Sequence, residues 1–287
     1  MTLSPLRYPG SKANFVPVIA HLLKNCDLNI RTFVEPYAGS ASVTLGLLEN
    51  DLIQNAVIGE QDPLLYAFWE AVFRHTDELL ERFLELPITL TTWHKLRPFL
   101  SAKSPYETKD FVGYALAGLF FNRTNFSGIL NGGPIGGKAQ LSEYKIDCRT
   151  NKDEILCRIL AISTFGNKVK VHFGDAVELI KNRNQRKTDF IYADPPYYLQ
   201  GENLYRYFYR MVDHKRLAQS LATTKSNWLL SYDDHHVIEF LYEKFNMRRH
   251  DFQYSARSHK KHTELLISNF PLATEIDGWS KITTKAS

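Results

Sequence analysis

The spacing of apolar positions changes period several times along the chain. Val16, Ile19, Leu22 and Leu23 recur at helical spacing and predict a helix over 16–24. β-Branched and aromatic runs predict strands at 32–35 and 56–60, with a helix over 43–48 between them. From Pro63 the two-residue period disappears. The segments 64–75, 77–86, 92–100 and 106–121 all read as helices, and no strand pattern interrupts them. A stretch rich in glycine and asparagine over 122–138 reads as a hairpin or long loop. Alternation then resumes: helix 152–165, strand 168–173, helix 177–181 and strand 190–193. Helix 213–222, strand 228–232, helix 238–245 and an antiparallel pair over 252–255 and 264–268 close the chain. Strands alternating with helices predict a doubly wound α/β sheet, and the strandless stretch predicts a helical subdomain inserted into it. Residues 1–63 and 164–287 then form one domain and 64–163 the other.

The strand at 190–193 runs into Asp194-Pro195-Pro196-Tyr197. Neither proline can donate a ladder hydrogen bond, and each pushes the residue before it to extended geometry. Asp194 therefore stands at a strand's C-terminal end with its carboxylate past the sheet edge. The carbonyls of Asp194 and Pro195 have no strand to pair with, and Tyr197 offers a flat ring. An acceptor carboxylate, an acceptor carbonyl and a stacking ring suit a planar exocyclic amine. The plainer reading is a strand followed by a proline-rich turn.

Other strand ends carry candidates too. Tyr8-Pro9-Gly10-Ser11-Lys12 is a turn before a helix and can present Lys12 to an anionic group such as a carboxylate; the alternative is a solvated lysine. Pro36-Tyr37-Ala38-Gly39-Ser40-Ala41-Ser42 is a loop of small residues between strand and helix, the ligand-binding edge of such sheets, with Ser40 or Ser42 as N-cap. It is not GxGxxG, so a dinucleotide fingerprint is absent. Glu60 lies 25 residues beyond Glu35, a spacing at which an acid binds a ribose diol, and Asp62 competes for the role. Asp175 can accept from an adenine amine or cap the helix that follows it.

The 122–138 stretch carries side chains that read base edges: Arg123 for guanine, Asn125 or Asn131 for adenine. Phe121 and Phe126 can serve as wedges or stacking groups, and Lys138 ends the stretch. Tyr205, Arg206, Tyr207, Phe208, Tyr209 and Arg210 interleave aromatic and basic groups in a second loop suited to nucleic acid. Arg257, Lys260 and Lys261 form a basic hairpin tip, a solvated charge run or a phosphate contact. His235-His236 lacks any zinc-ligand pattern and reads as surface.

Composition adds bounds. With 287 residues, 44% hydrophobic and 23% charged, the chain is an ordinary globular protein of one large domain or two small ones. Three cysteines, Cys26, Cys148 and Cys157, form no CxxC pair, so neither a disulfide framework nor a metal site is indicated. A net charge of +4 is compatible with a polyanionic partner. The absence of a membrane-length apolar run and of a signal-peptide pattern points to the cytoplasm.

In order, Tyr8-Pro9-Gly10-Ser11-Lys12, Phe33-Val34-Glu35-Pro36-Tyr37-Ala38-Gly39-Ser40, Glu60, the 122–137 loop and Asp194-Pro195-Pro196-Tyr197 resemble the Dam-type DNA adenine-N6 methyltransferases, the α-class of the D12 family. The resemblance covers about Leu6 to Ser268. It implies a Rossmann-like methyltransferase sheet interrupted by a helical target-recognition domain that carries a hairpin. It implies S-adenosylmethionine as cofactor, double-stranded DNA as substrate, base flipping and no metal. Tyr8 and Lys12 match the family's N-terminal cofactor-binding aromatic and lysine. Phe33, Glu35, Pro36 and Gly39, with Ser40, match its methionine-side loop, and Glu60 its ribose-binding acid. That acid is usually aspartate, so Glu60 and Asp62 both stay open. Asp194 matches the catalytic aspartate, followed by Pro195, Pro196 and Tyr197. The recognition hairpin of Dam reads RYNxxGxFNVPFG. Here Arg123, Asn125, Gly128 and Asn131 align while their surroundings differ, so a GATC site is not implied. The implied enzyme is of the EC 2.1.1.72 class, bacterial or phage-encoded, a monomer or weak dimer, in a restriction-modification setting or alone. Cytosine-N4 methylation shares the chemistry. A protein or RNA methyltransferase more often carries NPPY and lacks the insertion. A non-catalytic DNA-binding regulator on the same fold is the reading from another class.

Overall fold

The computed structural model describes residues 3–8, 10, 12–25, 30–199, 208–252 and 262–272. Seven strands form one sheet: β1 (Thr32–Glu35), β2 (Asn55–Glu60), β3 (Val169–Phe173), β4 (Asp189–Ala193), β5 (Asn227–Asp233), β6 (Asn246–Phe252) and β7 (His262–Ser268). Their spatial order is β3-β2-β1-β4-β5-β7-β6. The first five pair in parallel, whereas β7 runs antiparallel to both β5 and β6. The chain winds outward from β1 to β3, returns beside β1 with β4, and winds the other way. The C-terminal ends of β1 and β4 therefore flank the point where winding reverses, the crevice that ligands use in open α/β sheets.

Both faces of the sheet are covered, which explains the continuous apolar run of β4 and the adjacent buried Phe33 and Val34 of β1. Phe33, Phe190, Tyr192, Leu229 and Leu266 pack on one face with the N-terminal helices and those between β2 and β3. Val34, Ile191, Leu230, Leu265 and Ile267 pack on the other. Among the described residues the helices are α1 (Val16–Asn25), α2 (Ser42–Glu49), α3 (Pro63–Arg74), α4 (Thr76–Glu85), α5 (Leu90–Leu96), α6 (Phe111–Thr124), α7 (Lys152–Ser163), α8 (Ala176–Asn182), α9 (Met211–Thr223) and α10 (His236–Leu241). None is long and apolar enough to cross a membrane.

The helices between β2 and β3 begin with α3, which packs on β2 and β3 and also against α6. Asp62 caps α3 by accepting from the Leu64 and Leu65 amides, and Pro63 takes the first-turn position where a missing N–H costs nothing. At Gly118 a Cβ would sit 2.7 Å from the Leu64 carbonyl oxygen, so only glycine permits this approach of α6 to α3. The helices between β2 and β3 thus share a continuous core with the sheet.

Several boundaries differ from the periodicity. The helix expected over 106–121 starts at Phe111, where Asp110 accepts from the Gly113 amide, and runs through Thr124. The one expected over 92–100 splits into α5 and a 3₁₀ turn, Arg97–Ser101, because Pro98 removes a helical donor. Of the hairpin or long loop expected over 122–138, the structure has a loop closed by one bridge, Asn125 with Pro134, around a 3₁₀ turn at Phe126–Gly128. The helix expected over 238–245 stops at Leu241, and the strand expected at 252–255 begins at Asn246. Arg248 and Arg249 on this edge strand hide its two-residue period.

Candidate active site

β4 is buried along its whole length and ends where the prolines begin. Asp194 follows it, with its side chain 21% exposed at the edge of a cleft. Its Oδ1 accepts from the Ser231 hydroxyl at 2.8 Å, and Ser231 in turn shares a hydrogen bond with the Tyr192 hydroxyl at 3.0 Å. The Lys12 ammonium lies 3.4 Å from the same Oδ1. Pro195 is buried, Pro196 lines the cleft and Tyr197 is half-buried. Beyond them, the Asp233 carboxylate accepts from the Tyr198 and Leu199 amides, both at 3.0 Å, and pins the turn to β5.

Lys12 is only 5% exposed. Its ammonium reaches Glu264 Oε1 at 3.0 Å and hydrogen-bonds the Tyr197 hydroxyl, which donates to the same Glu264 oxygen at 2.6 Å. The lysine is thus held between two protein carboxylates at the Asp194 end of the cleft. Burial pushes the Asp194 carboxyl up, Lys12 pulls it down and Glu264 pushes it up again, to about 6. Glu264 and Ser231 were not picked out from the sequence. The available signal was an acid and a hydroxyl on inward positions of otherwise apolar strands.

The rest of the cleft is built from the ends of β1 and β2. It encloses about 1100 Å³, counted with its open mouth. Glu35 ends β1, is 4% exposed, and its Oε2 accepts from the Thr44 amide at 3.1 Å and the Thr44 hydroxyl, tying β1 to the start of α2. Burial pushes its carboxyl up to about 8. In the connecting loop Gly39 has φ +47°, and a Cβ there would lie 2.8 Å from the Tyr8 ring. Only glycine lets the ring close over this loop. The Gly39 carbonyl accepts from the Trp69 indole at 3.2 Å. Pro36 and Ser40 also line the wall. Phe33 does not: it is fully buried and stacks on Phe190 at 5.9 Å, because strand alternation turns it into the core.

Glu60 and Asp62 both line the cleft. Asp62 is 4% exposed and occupied as the cap of α3, whereas Glu60 is half-buried and accepts from the Asp62 amide at 2.8 Å. Burial first, then the neighbouring Asp62, push the Glu60 carboxyl up to about 8. Asp175 caps α8 by accepting from the Val177 amide at 2.7 Å and pairs with Arg216 at 3.2 Å. Its neighbours Gly174 and Ala176 reach the cleft.

The loop after α6 forms another wall through Gly128, Ile129 and Leu130. The candidate DNA-contacting residues of this stretch divide by exposure. Phe121 is fully buried beside Trp93. Asn122 accepts from the Arg7 amide at 2.7 Å and donates to the Arg7 and Gly128 carbonyls. Asn125 accepts from the Trp93 indole at 2.7 Å and donates to the Ile129 and Leu130 carbonyls. Both asparagines spend their amides inside the protein, so neither presents one to a base edge here. Arg123 is half-buried and donates to the Pro5 and Arg149 carbonyls. Burial and the nearby Arg7, Arg158 and Arg149 pull its guanidinium down to about 10. Phe126, Asn131 and Lys138 are exposed, Phe126 to 72%. Tyr205, Arg257, Lys260 and Lys261 lie outside the described residues.

A sheet of this order, with an acid and an aromatic after β4 and a loop of small residues after β1, is that of a Rossmann-like methyltransferase. The chain belongs to the D12 class N6 adenine-specific DNA methyltransferase family, whose profile matches residues 8–256. No curated protein is matched.

Proposed function

We propose that the chain transfers a methyl group from S-adenosylmethionine to adenine N6 at a specific site in double-stranded DNA, on a base turned out of the helix. The observation that carries this reading is one cleft that holds Asp194 and Pro196 at one end and Glu60 at the other, walled by Gly39. The donor set suits the cofactor. Glu35, Glu60, Asp62 and Asp194 line the cleft, and Lys12 is its one basic residue among the described lining. An acid-lined cleft favours a ligand carrying a sulfonium and an ammonium. Glu60 is the better placed acid for a ribose diol, since Asp62 is taken by the α3 cap. Tyr8 and Gly39 shape the methionine side, and Asp175, with Gly174, borders the adenine side.

When bound, the cofactor supplies an electrophilic methyl group. The protein's share is to present the nitrogen. N6 is paired inside the duplex, so the adenine must be flipped, at a cost of a few kcal/mol. Asp194 Oδ1 is engaged by Ser231 and Lys12, which leaves Oδ2 to accept one N6 hydrogen. The Pro195 carbonyl accepts the other. Together they steer the nitrogen lone pair, and Asp194 stabilises N6 most as it becomes positive. The Tyr197 ring, anchored through its hydroxyl to Glu264, is the stacking platform. The insertion and its loop hold the duplex, with the exposed Phe126, on the loop whose Gly128 to Leu130 line the cleft, to fill the gap in the stack.

The test is incubation of duplex DNA with isotopically labelled S-adenosylmethionine, followed by nucleoside analysis and mapping of the modified bases. Label in N6-methyladenine at a defined sequence is the expected result. Label in N4-methylcytosine, or DNA binding without label, rejects it.

A further inference from the structure

Glu264 takes no direct part in the reaction just described, yet it is 2% exposed and holds two of the site's groups. We propose that Glu264 is a positioning residue for methyl transfer: on one carboxylate oxygen it gathers the Lys12 ammonium and the Tyr197 hydroxyl, fixing the stacking ring and keeping Lys12 from neutralising Asp194. This inference rests on the methyltransferase reading of the same site.

The geometry supplies the first part. A tyrosine ring after a double proline can rotate unless its hydroxyl is tied. Here the hydroxyl donates to Glu264 at 2.6 Å and meets the Lys12 ammonium. The second part is electrostatic. Lys12 lies nearer Glu264, at 3.0 Å, than Asp194, at 3.4 Å. Two acids face one base, so the group carries one surplus negative charge next to an amine that turns positive as the methyl arrives. Without Glu264, Lys12 would have Asp194 as its one acidic partner among these groups and would compete with the adenine amine for the acceptor. Burial makes such competition count for more than it would in water. The groups facing Asp194 are Lys12 from the N-terminal segment, Glu35 from β1, Tyr192 from β4, Tyr232 from β5 and Glu264 from β7. Beside Glu264, strand register sets Asp233 on β5 and His250 on β6.

Position along the chain gives no hint of this. Lys12 and Glu264 are 252 residues apart and meet because β7 is inserted antiparallel beside β5.

The experiment measures steady-state DNA methylation against pH for the wild type, Glu264→Gln and Glu264→Asp, with S-adenosylhomocysteine affinity by calorimetry. Glu264→Gln keeps the shape and removes the charge. Its kcat should fall about tenfold to a hundredfold, while KM for DNA and cofactor-product affinity stay within about threefold. Because Glu264 pushes the Asp194 carboxyl up, the acid limb of its kcat profile should move to lower pH. Glu264→Asp keeps the charge but loses reach, so kcat should fall with the limb unmoved. A merely structural glutamate would lower thermal stability without moving the limb. A Glu264→Gln enzyme with wild-type kcat, or with an unmoved limb, overturns the inference. If Glu264→Gln does not fold, Glu264→Asp decides, and wild-type kcat there overturns it. A wild type that transfers no methyl removes the underlying reading, whereas active wild type with an indifferent Glu264→Gln removes this inference alone.

Discussion

Asp194 is gripped by one carboxylate oxygen, and the proposed reaction uses the other. That division predicts that Asp194→Asn keeps the Ser231 contact and the fold but lacks the charge that stabilises a positive nitrogen. Methyl transfer should fall by a barrier increase of about 2–4 kcal/mol, with DNA binding retained; single-turnover rates and filter binding measure the two. The carboxyl is pushed up to about 6, so it protonates as pH falls through that value and ceases to accept from the amine. Single-turnover methylation should therefore decline below about pH 6, and a flat profile down to pH 5 would contradict the acceptor role. At the far end of the cleft, Asp62 caps α3 and Glu60 is the acid proposed for the ribose. Glu60→Gln should weaken S-adenosylhomocysteine binding in calorimetry without lowering the melting temperature. Asp62→Ala removes a helix cap and should cost about 1 kcal/mol of stability. The reverse pattern would exchange their roles. Asp194 was legible as the end of an apolar run halted by two prolines. Which of Glu60 and Asp62 serves as the α3 cap was not, because two acids two residues apart look alike until one is seen capping α3.

At the scale of elements, the loop after α6 links the helices between β2 and β3 to the cleft. Asn122 and Asn125 stitch it together, and Phe126 projects from it. Asn122→Ala would strand the Arg7 amide and two carbonyls inside the protein and should cost about 1–3 kcal/mol. Phe126→Ala removes only an exposed ring, so thermal unfolding should be unchanged while affinity for duplex DNA, by anisotropy, falls. Equal loss of stability in both variants would mean that Phe126 packs rather than wedges. Of Asn125 and Asn131, either of which the sequence offers as an adenine reader, Asn125 turns its amide inward for a definite reason. A rich glycine and asparagine content signals a turn but not which way an amide points, and α6 continues one turn further than its apolar spacing suggests. The central strands were legible because burial on both faces leaves an unbroken apolar run in β4 and the adjacent Phe33 and Val34 in β1. β6 was misread because its arginines sit at the sheet's edge, where charge is favoured.

For the molecule as a whole, the cleft concentrates acids that the fold must tolerate when nothing is bound. Glu35 is deeply buried and tied to Thr44, and burial pushes its carboxyl up to about 8 from an ordinary 4.5. The folded state therefore binds a proton there that the unfolded chain has released above its ordinary value. This contribution to stability is complete below about pH 4.5 and is lost as pH rises through about 8. Melting temperature should fall from pH 5 to pH 8 in the ligand-free wild type. Glu35→Gln preserves an acceptor for the Thr44 amide and hydroxyl and carries no charge, so it should flatten that slope and melt higher than wild type at pH 8. The same acids bear on ligand choice. Glu35, Glu60 and Asp194 all shed their protons more fully between pH 6 and pH 8, which makes the cleft increasingly favourable to a cation. S-Adenosylmethionine carries a sulfonium charge that S-adenosylhomocysteine lacks, and they are otherwise nearly the same shape. The ratio of their affinities should shift toward S-adenosylmethionine as pH rises, and Glu35→Gln should reduce the shift. Calorimetry with both ligands at pH 6 and pH 8 measures it. A ratio independent of pH would mean that the acids shape the cleft without sensing the charge of its occupant.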